Sequence, residues 1–223
     1  MIEMQISQQA YKIPEELTIQ QWSALIKWEF TEPNNWPRIL HILTGHPLAE
    51  LKKGKYEGLE LAIIFLSRVM LQRKEVPMTD PKLLTFGQWV DVEVYLSLGP
   101  DKHLQDCMDI LAPGRTLMAS EALWVLDRYT EFRTWLMRQY EGLFESDAMP
   151  SDEPVDPMQA ARTWYRIIVD LAGNDILKLD AVTDQPLQKT LNFLSLQKEN
   201  RLAEEKRQRE QKIKNDLHLR THR

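Results

Sequence analysis

The sequence predicts a mainly α protein: a multi-helix bundle with a short N-terminal strand or hairpin and a long protruding C-terminal helix. Three observations carry this. Apolar residues recur at spacings of three and four through most of the chain. Only eight of the 223 residues are glycine, fewer than the turns of an all-β architecture need. Residues 184–223 begin apolar at helical spacing and then turn into almost continuous charge and amide, as one helix does when it starts on a body and leaves it.

The composition allows a real core, at 43% apolar with seven tryptophans. The net charge of −5 gives no overall drive toward nucleic acid or an anionic membrane. It is unevenly spread: residues 198–223 hold nine Lys/Arg against five Asp/Glu, a local +4 that leaves −9 for residues 1–197. The single cysteine, Cys107, lies in an apolar helical context and reads as a small buried hydrophobe in a reducing, cytoplasmic setting. MIEMQISQQAYK lacks a basic region followed by an apolar run, so no signal peptide is expected. The most apolar run, residues 59–71, is interrupted by Glu60, Ser67 and Arg68 and is shorter than a span of about 20 residues. A soluble protein is expected.

In chain order, residues 2–13 alternate (Ile2, Met4, Ile6, then Tyr11 and Ile13) as one strand or a hairpin ending at Pro14. Thr18 and Gln21 form a capping-box pattern. The helix they start carries Ile19, Trp22, Leu25, Ile26 and Trp28 or Phe30, and Glu32-Pro33 stops it. Asn34 or Asn35 caps the next helix, with Pro37 in its first turn, Ile39, Leu40, Ile42 and Leu43 inward, and Gly45 as its left-handed end. A short turn of helix follows from His46-Pro47 to Leu51. Residues 59–72 are apolar nearly all round, which predicts a helix central to the core.

Residues 74–85 read as a loop. Residues 86–98 have strand-like composition, but Trp89, Val92 and Leu96 also share a helix face, with Thr85 as cap and Gly99-Pro100 as stop; helix is the reading adopted. Asp101 caps another helix with Leu104, Cys107, Met108 and Leu111 inside. Residues 120–144 form the longest body helix, its stripe running through Leu123, Leu126, Tyr129, Phe132, Leu136, Tyr140 and Leu143. The proline- and acid-rich run 146–157 reads as a linker between a body, 1–145, and a C-terminal helical unit, 158–197. In that unit Ala161, Trp164, Ile167, Ile168 and Leu171 share one side, Gly173-Asn174 ends the helix, and 175–182 is short and irregular. Thr183 or Asp184 caps the last helix, with Pro186 in its first turn. No internal repeat of fixed period is evident.

No chemical constellation stands out. Phosphate-binding glycine loops, nucleophile elbows, paired cysteines and HExxH spacing are all missing from the sequence, so no enzyme, cofactor or metal is expected. Asp91 and Glu93 are two apart and point to different helix faces, a poor acid/base dyad and ordinary surface charges. Asp106 and Asp109 read as solvated. His218 and His222 share a helical spacing but not a metal-binding context. Trp36, between Asn35 and Pro37, is a candidate exposed anchor for a protein interface, as are Trp28 and Trp135.

The C-terminal helix is the sharpest feature. Leu187, Leu191 and Leu194 are placed to anchor it, with Phe193 beside them. From 198 onward it is expected to project, presenting Arg201, Leu202, Lys206, Arg207, Arg209, Lys212 and Ile213 to a partner, with Glu205–Arg209 as a supporting i,i+4 pair. The alternative is a basic arm for nucleic acid over residues 201–220. Interleaved glutamates and the lack of aromatics for base stacking weigh against it.

Four stretches together, LTIQQWSALIKWEFTEPNNWPRILHILTG, FGQWVDVEVYLSLG, DPMQAARTWYRIIVDLA and PLQKTLNFLSLQKENRLAEEKRQ, resemble in pattern and order the tail-assembly proteins of contractile-tailed phages, the tape-measure chaperones and baseplate-hub assembly factors. The resemblance covers most of the chain and rests on no diagnostic motif. It implies a non-enzymatic helical protein of the infected host cytoplasm, a transient chaperone or a subunit retained in the virion tail. The partners it implies are tape-measure or baseplate-hub proteins, with no membrane and no small-molecule substrate.

Overall fold

One short pattern, Leu-Thr-x-x-Gln-Trp, occurs at residues 17–22 and again at 84–89, and each copy starts a helix. At Thr18 and at Thr85 the hydroxyl accepts from the N–H three residues on, and the Gln21 or Gln88 amide oxygen accepts from the threonine N–H in return. Both are complete capping boxes, which satisfy two of the donors a helix start leaves open. In each, the leucine before the cap and the tryptophan in the first turn are buried, at the positions of a hydrophobic staple.

The computed structural model describes residues 2–6, 9–56, 59–144 and 157–221. They are mainly helical. Strands β1 (Ile2–Ile6) and β2 (Gln9–Ile13) pair antiparallel, Ile2 opposite Ile13 and Met4 opposite Tyr11, so the N-terminal element is the hairpin rather than a lone strand. Tyr11 and Ile13 of β2 are buried, and the Tyr11 ring meets the edge of His46. The helices are α1 (Ile19–Leu25), α2 (Trp36–Thr44), α3 (Leu48–Leu51), α4 (Glu60–Met70), α5 (Phe86–Leu98), α6 (Pro100–Leu111), α7 (Ala119–Gln139), α8 (Glu141–Phe144), α9 (Pro157–Leu171), α10 (Leu179–Thr183) and α11 (Leu187–Thr221).

The hub is α5. It packs against α6, α9, α10 and α11, and Phe86, Trp89 and Val92 are fully buried. Because several neighbours cover it, its apolar residues are not confined to one stripe. This is why its composition admits both strand and helix; the helix reading holds. The Trp164 ring of α9 lies edge-on to Trp89 at 4.8 Å, and Phe86 and Phe144 flank the pair. The core is therefore continuous from Tyr11 to Leu191, and residues 157–197 share it with the body. Apart from Pro157, the acidic run at 146–157 lies outside the described residues.

Three helices begin with an N–H held by another segment. Ala119 of α7 donates to Leu17 O at 2.7 Å, Phe86 of α5 to Gln185 O at 2.8 Å, and Leu187 of α11 to Leu84 O at 3.1 Å. The accompanying isolated bridges are Thr18 with Met118 and Thr85 with Pro186. These exchanges replace the side-chain cap expected at the start of α11: the Thr183 hydroxyl donates to Asp180 O instead.

Other expectations shift. α1 stops at Leu25, with Ile26 half-exposed, well before Glu32-Pro33. Asp101 lies in the first turn of α6 and the cap is Gly99, at φ +112°. The long body helix breaks at Tyr140 into α7 and α8. α4 is not central: Leu66 and Val69 are its buried residues, while Leu61, Ile64 and Leu71 are exposed. Gly45 ends α2 with φ +74°, and Gly173 and Asn174 end α9 with φ +67° and +60°, as the pattern predicts.

Cys107 is fully buried on α6. Burial pushes its thiol up to about 12, and the nearby Asp106 and Glu93 carboxylates act in the same direction. Two outcomes follow from this core. Thr85→Ala removes half of a capping box and lowers stability by about 1 kcal/mol, a drop of about 2–4 °C in Tm. At pH 8 a thiol reagent leaves native Cys107 unmodified and labels it on unfolding. The unfolded thiol ionises near about 8.5 while the native one stays protonated, so above that pH the unfolded chain holds fewer protons. Stability therefore falls as pH rises from about 8.5 toward 12, by a component that Cys107→Ala lacks. Thermal unfolding across that range measures it.

Candidate partner-binding surface

α11 leaves its N-terminal joint with Leu187 and Leu191 fully buried and Leu194 half-buried. These are the three expected anchors, and they dock α11 on α5 and α8. Thr190 between them is also buried. Two polar contacts extend the dock: the Tyr140 hydroxyl donates to Asn192 Oδ1 at 2.8 Å, and Lys198 Nζ donates to Leu143 O at 3.5 Å. Lys198 thus closes the anchored part, and residues 199–214 are exposed throughout. At 35 residues α11 is about 52 Å long, and more than half of that lies past the anchors.

Arg201, Leu202, Lys206, Arg207, Arg209, Lys212 and Ile213 are all on this exposed part, Leu202 at 44% and Ile213 at 60% of full exposure. Trp36 is not. It is buried in the body, and its indole N–H donates to Phe30 O at 2.9 Å, so it is a core residue that ties the turn after α1 to α2. Trp36 is the first residue of α2, and Pro37 follows it in the first turn. Trp28 is half-buried beneath the Arg38 guanidinium; Trp135 is partly exposed. The expected Glu205–Arg209 pair is replaced by Arg201 with Glu205 at 3.9 Å.

At the root of the projection, α8, α9 and α11 enclose an open cleft of about 460 Å³. Its walls are Leu143, Phe144, Trp164, Ile167 and Leu194, and Lys198 and Arg201 stand at its edge. The cleft joins residues far apart in sequence, so the helical pattern of any one segment does not reveal it. Further exposed apolar side chains lie on α4 (Leu61, Ile64), just past its end (Leu71) and around Ile176 and Leu177.

Elsewhere, polar contacts join elements of the body. Glu93 is not an ordinary surface charge: its side chain is 8% exposed, it accepts from the Tyr129 hydroxyl at 2.9 Å, and both its oxygens lie 2.8 Å from Arg133 Nε. That contact fastens α5 to α7. Asp91 stays at the surface. Asp106 Oδ2 accepts from His103 Nδ1 at 2.7 Å, and the His103 ring stacks on Tyr95 at the kink of α6. Among the described residues no group of three or more His, Cys, Asp or Glu is placed to hold a metal ion, and no helix is long and apolar enough to cross a membrane.

Comparison with protein-family models, with curated proteins and with solved structures finds no match.

The geometry divides α11 sharply. Leu191→Ala leaves a cavity in the shared core and lowers stability by about 2–5 kcal/mol. Leu202→Ala and Ile213→Ala, on exposed turns, change it by less than about 0.5 kcal/mol. Denaturant unfolding of the three variants measures the contrast.

Proposed function

We propose that this chain is a non-enzymatic assembly protein of a contractile phage tail, a chaperone or a structural subunit. It holds a tape-measure or baseplate-hub component through its helical body and its C-terminal helix. It acts in the host cytoplasm during assembly and travels with the virion tail where it remains as a subunit. The observation that carries a binding role is α11: its root is fixed in the core at Leu187 and Leu191, and its exposed part presents isolated apolar side chains, Leu202 and Ile213, among charges. A rigid helix held out from a body is a surface for another chain. The assignment to tail assembly rests on the resemblance of the four sequence stretches, residues 17–45, 86–99, 156–172 and 186–208.

The test is affinity capture from infected cells, and co-expression with tape-measure and hub proteins, for the full chain and for a form ending at Gln197. The shorter form keeps all three anchors and is expected to unfold at nearly the same temperature. The full chain captures a tail or hub component, and the shorter form loses about tenfold or more in affinity, about 1.4 kcal/mol. Equal capture by both forms rejects the role of the projecting helix.

A further inference from the structure

The anchored and projecting parts of α11 share one face. Leu187, Leu191, Leu194 and Lys198 alternate at spacings of four and three. Spacings of three and four continue through Arg201, Glu205, Arg209 and Lys212, with Leu202 and Ile213 alongside. At 100° per residue all of these lie within about 80° of the Leu187 direction. The seam that the body covers at Leu187 and Leu191 therefore runs on uncovered. It emerges beside the apolar cleft formed with α8 and α9.

Charge is sorted the same way. Over residues 198–214 the seam face holds four cations (Lys198, Arg201, Arg209, Lys212) and one acid, Glu205. The opposite face holds three cations (Lys206, Arg207, Lys214) and three acids (Glu199, Glu204, Glu210) and is balanced. Among the described residues Arg209 and Lys212 have no ion-pair partner. A helix that serves only to be solvated has no reason to place its excess charge on the side that continues its own docking seam.

Resting on the reading that α11 binds another protein, we propose that its partner is an acidic amphipathic helix. That helix lies along the Lys198–Arg201–Arg209–Lys212 face, with apolar side chains on Leu202 and Ile213 and one end seated in the cleft between α8, α9 and α11. The seam supplies attraction and register through its cations, and the cleft supplies an apolar terminus to bury. The faces make opposite demands on nucleic acid and protein. A phosphate backbone needs only positive charge, whereas Glu205 within the seam, the flanking Leu202 and Ile213, and the apolar cleft suit a helix with both acidic and apolar positions.

The test uses the full-length chain and fluorescence anisotropy with a labelled 21-residue Glu/Leu amphipathic peptide, its Lys/Leu counterpart and a 20-base-pair DNA duplex. The acidic peptide is expected to bind about tenfold or more tighter than the basic one, with affinity falling as salt rises. Arg201→Glu/Arg209→Glu/Lys212→Glu is expected to weaken it about tenfold or more. Lys52→Glu/Lys53→Glu/Lys214→Glu makes the same charge change away from the seam and is expected to alter it less than twofold. All six positions are exposed, and helix content by circular dichroism checks each variant. Equal losses from the two triples overturn the facial assignment, as does tighter binding of the duplex than of the acidic peptide. Self-association in sedimentation velocity that the first triple abolishes also overturns it, assigning the face to a second copy. These outcomes separate from the functional reading: loss of tail-component capture on truncation, with equal effects of both triples, leaves that reading standing and removes this one.

Discussion

The structure depends on α5 being packed against four other helices. A helix exposed on one face needs one apolar stripe, and its neighbours can be replaced singly. α5 instead touches α6 with one surface and α9, α10 and α11 with others. Trp89 anchors the α9 side of this packing: it stacks with Phe86, meets Trp164 of α9 edge-on and lies beside Phe144 of α8. Interiors pack to near-crystalline density, so the direction of Trp89 constrains each of these neighbours. The C-terminal helices are consequently part of the body, even though an acidic, proline-rich run separates them from it in sequence.

Backbone hydrogen bonding sets the angles that the rings then fill. A helix start leaves donors without partners, and burying it requires each to be met. Here Leu84 O takes the first N–H of α11 and Gln185 O takes the first N–H of α5, so each helix completes the other. A side-chain cap can turn with its own rotamer, whereas a reciprocal pair of main-chain bonds fixes two helices at a common origin. α11 therefore leaves the body in a direction defined by α5.

The local pattern of the sequence was legible where one helix faces one core. The capping box at Thr18, the left-handed ends at Gly45 and Gly173, the inward residues of α6 and the anchors Leu187 and Leu191 follow from spacing and turn chemistry alone. Two apolar segments, 59–72 and 86–98, show the limit. Both lack a single stripe, which is equally the mark of a central helix and of one with an extra exposed apolar face. α5 is the first and α4 the second, and only the neighbours decide which. Trp36 was misplaced for a related reason: Asn35 and Pro37 suggest a surface turn, but the turn directs its middle residue inward to the Phe30 carbonyl. The reciprocal bonds at Leu84 and Gln185 and the cleft at Leu143, Trp164 and Leu194 join segments about 20 to 100 residues apart in sequence. No local period encodes them.

The projecting part of α11 buries nothing, and yet physical terms favour its persistence as a helix. Residues 199–214 hold neither glycine nor proline, and apart from Asn200 and Ile213 they are all strong helix formers. The unfavourable step in helix formation is the first turn. Here the turns through Leu187 and Leu191 are already paid for by core burial, so each later residue only propagates. Local pairs such as Arg201 with Glu205 and Gln208 with Glu204 add about 0.2–0.5 kcal/mol each. An arm whose backbone is already ordered would lose less entropy on associating with another chain than a disordered segment does, so in the proposed complex isolated contacts such as Leu202 and Ile213 would need less apolar area around them.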